Sequence, residues 1–174
     1  GKEAQELAKR ISAPVACSLM GKGATDEAKE EFAGMVGLEG NAAANTLIEE
    51  ADLVIACGIR FSDRMMHGMV PYLPNAKKLQ IDIDPAEINK NVQVDAYIRA
   101  DAKAALKALL DMIPEHERKT WKKRRAELTE KDRAEAAKDT GFSGKRVIQA
   151  CLELTKGKAV ITTEVGQQDR KSVV

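Results

Sequence analysis

Aromatic residues are nearly absent from this chain: one Trp, two Tyr and three Phe make up 3% of its 174 residues. Any core it forms is therefore aliphatic, and a hydrophobic share of 44% is enough to build a sizeable one. Charge of one sign is lacking too. The 28 basic and 27 acidic residues leave a net charge of +1, evenly mixed, which speaks against nucleic acid or a polyanionic surface as partner. The three cysteines, Cys17, Cys57 and Cys151, lie far apart in apolar contexts without C-x-x-C spacing. They read as reduced, buried thiols of a reducing compartment. No apolar run has the length of a membrane span, and the N-terminus carries no signal-peptide core. The expectation is a soluble, cytoplasmic protein with no membrane partner. His67 and His116 have no companions at metal-ligand spacing, and no Ser–His–Asp or Cys–His arrangement is visible. No metal site and no catalytic residue is assigned.

What is present is a recurring strand-and-loop pattern. Leu53 to Cys57 is a short apolar run, closed by Gly58 and followed by Arg60, Ser62, Asp63 and Arg64. Such a run suits a strand buried on both faces of a parallel sheet. Ligands of open α/β sheets bind just past the carboxyl ends of the strands, so Gly58 to Arg64 reads as a binding loop for an anionic group. Lys78 to Asp84 is a second strand ending in acids, with Asp82 lying 24 positions after Gly58. An acid there either receives ribose hydroxyls or caps the following turn, and the residues leave both open. Met20-Gly21-Lys22-Gly23 follows a third strand, Val15 to Leu19, but the full G-x-G-x-x-G is missing. The stretch Gly34 to Asn41 is the densest in glycine, implying close backbone approach to a ligand or an irregular turn.

Helical spacing marks residues 2–12, 42–50 and 102–112, the last capped by Asp101. Pro85-Ala86-Glu87-Ile88 looks like a further helix start. Val94 to Arg99 reads as a short strand, and Met65, Met66 and Met69 as core filler. Residues 114–138 are about half charged and suit a surface helix or connecting arm. Ser143 is placed to cap a helix with Val147, Ile148, Cys151, Leu152 and Leu154 inward, and an apolar strand, 159–163, follows. Strands and helices that alternate in this way predict α/β architecture: a Rossmann-like open parallel sheet with helices on both faces.

Taken together, SLMGKGA (18–24), GMVGLEGN (34–41), EADLVIACGIRFSDR (50–64), LQIDIDPAEINKN (79–91), FSGKRVIQ (142–149) and AVITTEVGQ (159–167) resemble the large subunit of acetolactate synthase, a thiamine-diphosphate enzyme family. The resemblance implies three domains in the full-length enzyme. Residues 1–113 would be the central, FAD-binding-type domain without its first strand, 114–139 a helical connector, and 140–174 the start of the diphosphate-binding domain. It implies FAD along Ser18, Leu19, Val36, Gly37, Leu38, Glu39, Gly58, Ile59, Arg60, Phe61, Ser62, Asp82, Ile83, Asp101 and Ala102. Arg64 would bind the carboxylate of a second 2-ketoacid, with Asp63 orienting it; a surface salt bridge between the two is the plainer reading. Thiamine diphosphate and Mg²⁺ would belong to the full-length enzyme only, which condenses two 2-ketoacids with loss of CO₂ in branched-chain amino-acid synthesis. A homo-oligomer and a regulatory small subunit are implied as partners, and the piece alone would be inactive.

Two departures from the family pattern stand out: Glu39 stands where most members have histidine, and residues 169–174 no longer follow it. A non-catalytic nucleotide-binding module, or the central domain of another thiamine-diphosphate decarboxylase, is the alternative. A sheet without its first strand has a vacant central slot, which residues 159–163 are expected to fill, from the same chain or a second copy.

Overall fold

The computed structural model describes residues 1–66, 68, 71–138, 141 and 143–160. Among them, α1 (Lys2–Ile11) leads into β1 (Val15–Cys17), and a single 3-10 turn, Leu19–Gly21, follows. Then come β2 (Phe32–Met35), α2 (Ala42–Glu49), β3 (Leu53–Cys57) and the one-turn α3 (Asp63–Met66). β4 (Lys77–Asp82), β5 (Ala96–Arg99) and α4 (Ala102–Met112) complete the α/β part, followed by α5 (Lys119–Ala137) and α6 (Gly144–Leu154).

Every strand pairing is parallel, as expected for helices that return the chain across a sheet. The strands form two sheets, β1–β2 and β3–β4–β5. β4 is central in the larger one: Leu79, Gln80 and Ile81 pair with Ile55, Ala56 and Cys57 on one side and with Ala96, Tyr97 and Ile98 on the other. That position explains why Gln80 and Ile81 are completely buried. β3 was expected to be buried on both faces, but it is an edge strand and Leu53 is 46% exposed.

Two apolar clusters flank the strands. Leu7 of α1 and Ala105, Leu106 and Leu110 of α4 pack with Ile81, joined by Ile55 and Leu79. The other cluster joins Ala44 and Leu47 of α2 to Ala33, Val36, Ala56, Phe61, Met65 and Met66. Helices thus cover both sides of an aliphatic core, as the pattern predicted. Met65 and Met66 fill core space, while Met69 lies outside the described residues.

Several local expectations need correction. β2 (Phe32–Met35) is a strand that the apolar pattern does not predict, and its last two residues open the glycine-dense stretch 34–41; Gly34 at φ +120 fits the strand end next to Asn41. Pro85 to Asn89 forms hydrogen-bonded turns instead of a helix, because Asp82, Asp84 and Gln80 side chains take the backbone N–H groups of Asp84, Ala86 and Asn89. Of the cysteines only Cys17 is buried; Cys57 is half-buried and Cys151 exposed. Ser143 does cap α6 through Arg146 N, yet Val147, Leu152 and Leu154 remain exposed and only Ile148 of the expected inner side is half-buried. The expected strand over 159–163 falls mostly outside the described residues; Ala159 and Val160 are irregular.

α5 is a surface helix, yet it packs antiparallel along α2. Trp121 and Leu128 reach the second cluster. Arg124 pairs with Glu50 just past the carboxyl end of α2, and Asp132 bonds Ala43 at its start. Arg125, 8% exposed, ties the helix to Glu30 through both its carbonyl and its carboxylate.

Candidate functional site

Hydrogen bonds tie the carboxyl ends of the five strands and the turns that leave them into one rim. Val36 N donates to Cys17 O (2.9 Å), linking the turn past β2 to the end of β1. Leu38 N donates to Arg64 O (2.8 Å), linking the turn past β2 to the turn past β3. Gly58 N donates to Ile81 O (2.9 Å), and Ala100 N to Asp82 O (3.1 Å), carrying the rim on to β4 and β5. Gly1 starts α1 at the same edge: its amino group donates to Ala24 O and lies near the Cys57 thiol. This is where open α/β sheets take their ligands.

The glycine turn past β2 is built by two asparagines of the neighbouring helix. Asn41 N donates to Met35 O (2.8 Å), and Met35 N donates to Asn41 Oδ1 (2.8 Å). Asn45 accepts from Gly37 N (2.9 Å) and donates back to Gly37 O (3.0 Å). Gly37 is required by contact as well as by φ +113, since a Cβ there would lie 2.9 Å from Arg64 O. Val36 and Gly37 are consequently buried, while Leu38 and Glu39 face solvent.

The turn past β3 is anchored from within. Phe61, 2% exposed and at φ +48, sets its ring edge-on to Tyr72 with centroids 5.9 Å apart. Burial, with Glu49 nearby, pushes the Tyr72 hydroxyl up to about 12, so the phenol stays neutral. Gln80 Nε2 donates to Ile59 O (3.2 Å) and Glu87 O (3.0 Å), and Asn91 Nδ2 donates to Arg60 O (2.8 Å). These bonds fix the backbone of 58–62, leaving Gly58, Arg60, Ser62, Asp63 and Arg64 exposed. Among the described residues neither Asp63 nor Arg64 enters an ion pair, so the plainer salt-bridge reading of that pair does not hold.

Gly58 differs from Gly37: at φ +63 it has nothing within 4 Å of a built Cβ. The turns at the carboxyl ends of the strands also carry exposed apolar side chains, Leu19 (51%), Met20 (93%), Leu38 (62%) and Ile83 (69%). Asp82 Oδ1 accepts from Asp84 N (2.9 Å), and Asp101 Oδ1 accepts from Ala104 N (3.0 Å). Each acid therefore caps local backbone with one oxygen. Ser18 is half-buried at the start of the 3-10 turn, Ile59 packs on the core, and Ala102 opens α4. Of the seventeen residues singled out from sequence, Val36 and Phe61 are buried in the core and Ile59 packs against it.

Asn41, Asn45, Gln80 and Asn91 were not singled out as site builders. A glutamine inside the apolar run Leu79 to Ile83 was the available signal for one of them, because a buried amide needs partners. Among the described residues no group of three or more His, Cys, Asp or Glu side chains is arranged to hold a metal ion, and no helix is long and apolar enough to cross a membrane.

Parallel strands, flanking helices and a rim of turns at the carboxyl ends define a Rossmann-like α/β domain. The family described as "Thiamine pyrophosphate enzyme, central domain" matches residues 1–109, and the chain belongs to that family. It is 38% identical over 169 residues to the acetolactate synthase large subunit of Haemophilus influenzae, covering 93% of this chain and 30% of that protein. It is 34% identical over 177 residues to the acetolactate synthase isozyme 3 large subunit of Escherichia coli, at 95% and 30% coverage. The acetolactate synthase large subunit of Cyanidium caldarium is 43% identical over 113 residues, 65% of this chain and 19% of that protein. The chain thus spans under a third of the length of these relatives.

Proposed function

We propose that the chain is the central portion of an acetolactate synthase large subunit and that its rim binds FAD. One observation carries the reading: Gly58, left-handed at the end of β3 with open space where a Cβ would stand, lets a ligand approach the backbone. Exposed Leu19, Leu38 and Ile83 suit a flat aromatic ring, and the exposed guanidinium of Arg60 suits a pyrophosphate. The second oxygens of Asp82 and Asp101 are left for hydroxyl groups. Bound there, FAD would supply a rigid scaffold around which the loops order.

Arg64, with Asp63 beside it, would grip the carboxylate of a 2-ketoacid, the substrate class of a reaction that condenses two such acids with loss of CO₂. Residues 1–113 would form the central domain, 114–139 its connector and 140–174 the start of the next domain. Thiamine diphosphate and Mg²⁺ would be bound elsewhere in the full-length, cytoplasmic homo-oligomer, with a regulatory small subunit as partner. The present chain would be inactive alone.

The test is a titration of the purified chain with FAD, followed by flavin fluorescence and absorbance, with ADP as competitor. Saturable binding with a perturbed flavin spectrum is expected. Binding of ADP with no preference for the flavin would point to a plain nucleotide-binding module, and no binding of either would overturn the reading.

A further inference from the structure

A helix normally satisfies its first N–H groups with the side chain of its own N-cap residue. In α2 the N-cap is Asn41, a favourable residue for the task, yet its side chain makes no such bond. It is turned the other way and accepts from Met35 N at the entrance to the glycine turn. Gly34 makes room for it: a Cβ at 34 would lie 2.4 Å from Asn41 Oδ1. The vacated cap matters, because Ala43 is 1% exposed and Ala44 fully buried. Water cannot serve the N–H groups there. Asp132, 89 residues away on α5, supplies the missing acceptor: its Oδ2 lies 2.9 Å from Ala43 N. Its negative charge also suits the positive end of the α2 dipole.

We propose that Asp132 is a positioning residue for the ligand loop: by capping α2 in place of Asn41, it frees Asn41 to hold the backbone of Met35 and the turn from Val36 to Gly40. The connection runs from α5, outside the matched residues 1–109, through α2 to the rim. Its functional meaning rests on the reading of that turn as part of the FAD site. Without Asp132, Asn41 rotates back to its ordinary capping role, Met35 N loses its acceptor and the turn loosens.

Amide hydrogen exchange on this chain, read by NMR at Met35, Gly37 and Ala43, tests the proposal. In Asp132→Ala, exchange at Met35 should accelerate about fivefold or more, the size of a lost cap. Asp132→Asn retains an acceptor and should restore protection at Met35. Arg124→Ala cuts the other clamp between α5 and α2 and should leave Met35 unchanged, which separates positioning from general destabilisation. Acceleration at Ala43 with Met35 unaffected in Asp132→Ala would overturn the proposal. Should that variant fail to fold, Asn41→Ala gives the converse: Met35 exposed with Ala43 still protected, and equal loss at both would overturn it. FAD affinity should fall in parallel with Met35 protection. Failure of the unsubstituted chain to bind FAD would overturn the functional reading and leave the exchange result to decide this one.

Discussion

Asn45 holds Gly37 from both sides of the peptide chain, accepting from its N–H at 2.9 Å and donating to its carbonyl at 3.0 Å. Gly37 is buried, so neither backbone group has water as a substitute. Asn45→Ala strands both and should cost about 1–3 kcal/mol. Urea unfolding checks it: the midpoint should fall with the slope unchanged. Asn45→Asp keeps the acceptor for Gly37 N but not the donor, so it should be milder unless its charge disturbs α2. A midpoint unmoved in Asn45→Ala would mean the turn is held by Gly34, Gly40 and Leu38 alone.

The two rim glycines should respond differently to the same added methyl group. Gly37→Ala meets Arg64 O at 2.9 Å in a backbone region that side chains avoid, and strain of about 1–3 kcal/mol is expected. Gly58→Ala meets nothing and should cost only the left-handed penalty, about 1–2 kcal/mol. The ranking reverses for binding. Gly58→Ala fills space facing the proposed ligand and should weaken FAD binding beyond its effect on stability. Equal loss of binding in both variants would place the ligand away from Gly58.

Much of this rim was legible in the sequence because parallel strands announce themselves as apolar runs ending in glycine or acid. Leu53 to Gly58 and Leu79 to Asp82 are of this kind, and the structure puts the turns that follow them side by side. The Asp101 cap of α4 and the Ser143 cap of α6 were equally local, and both appear. β2 was missed because Phe32 to Met35 offers only four residues, one of them glycine, after a charged stretch. The clasp of α5 on α2 could not be read at all: Asp132 and Ala43 are joined by tertiary placement, and nothing in the charged stretch 119–137 distinguishes Asp132 or Arg125 from their neighbours. Phe61 marks another limit, since its place in a polar loop hides a side chain that belongs to the core.

Arg64 offers a test of substrate class in a full-length enzyme carrying this sequence. If its planar guanidinium grips the carboxylate of the second ketoacid, Arg64→Lys loses the paired hydrogen-bond geometry. Turnover of the second ketoacid should suffer more than reaction of the first, measured as separate half-reactions. Equal losses in the two half-reactions would point to a structural role for the Arg64 side chain instead.

Glu27 gives the fold an acid limb. Burial raises its pKa, but the Lys22 ammonium at 2.8 Å and Gly23 N at 3.0 Å outweigh that and leave the carboxyl below its ordinary value of 4.5. A depressed carboxyl binds protons more weakly folded than unfolded, so its contribution is present above 4.5 and lost as pH falls through the folded value. Glu27→Gln should flatten that part of the stability curve, seen in urea midpoints between about pH 5 and 3. Parallel curves for the two proteins would remove Glu27 from the account.

The thiols should separate by accessibility. Burial pushes the Cys17 and Cys57 thiols up, only partly opposed by Lys22 near the first and by the amino terminus near the second. Thiolate is the reactive form, so both are slow on two counts, few ions and little access. Cys151 stands exposed on α6. Iodoacetamide at neutral pH should therefore add one group first, at Cys151, located by peptide mass spectrometry. Cys57 should follow, since it is half-buried at the end of β3, and Cys17 should need denaturant. Because Cys57 immediately precedes Gly58, saturating FAD should slow its modification further while leaving Cys151 untouched. Protection at Cys151 but not Cys57 would move the ligand off the rim, and early labelling of Cys17 would mean that the β1–β2 sheet opens readily in solution.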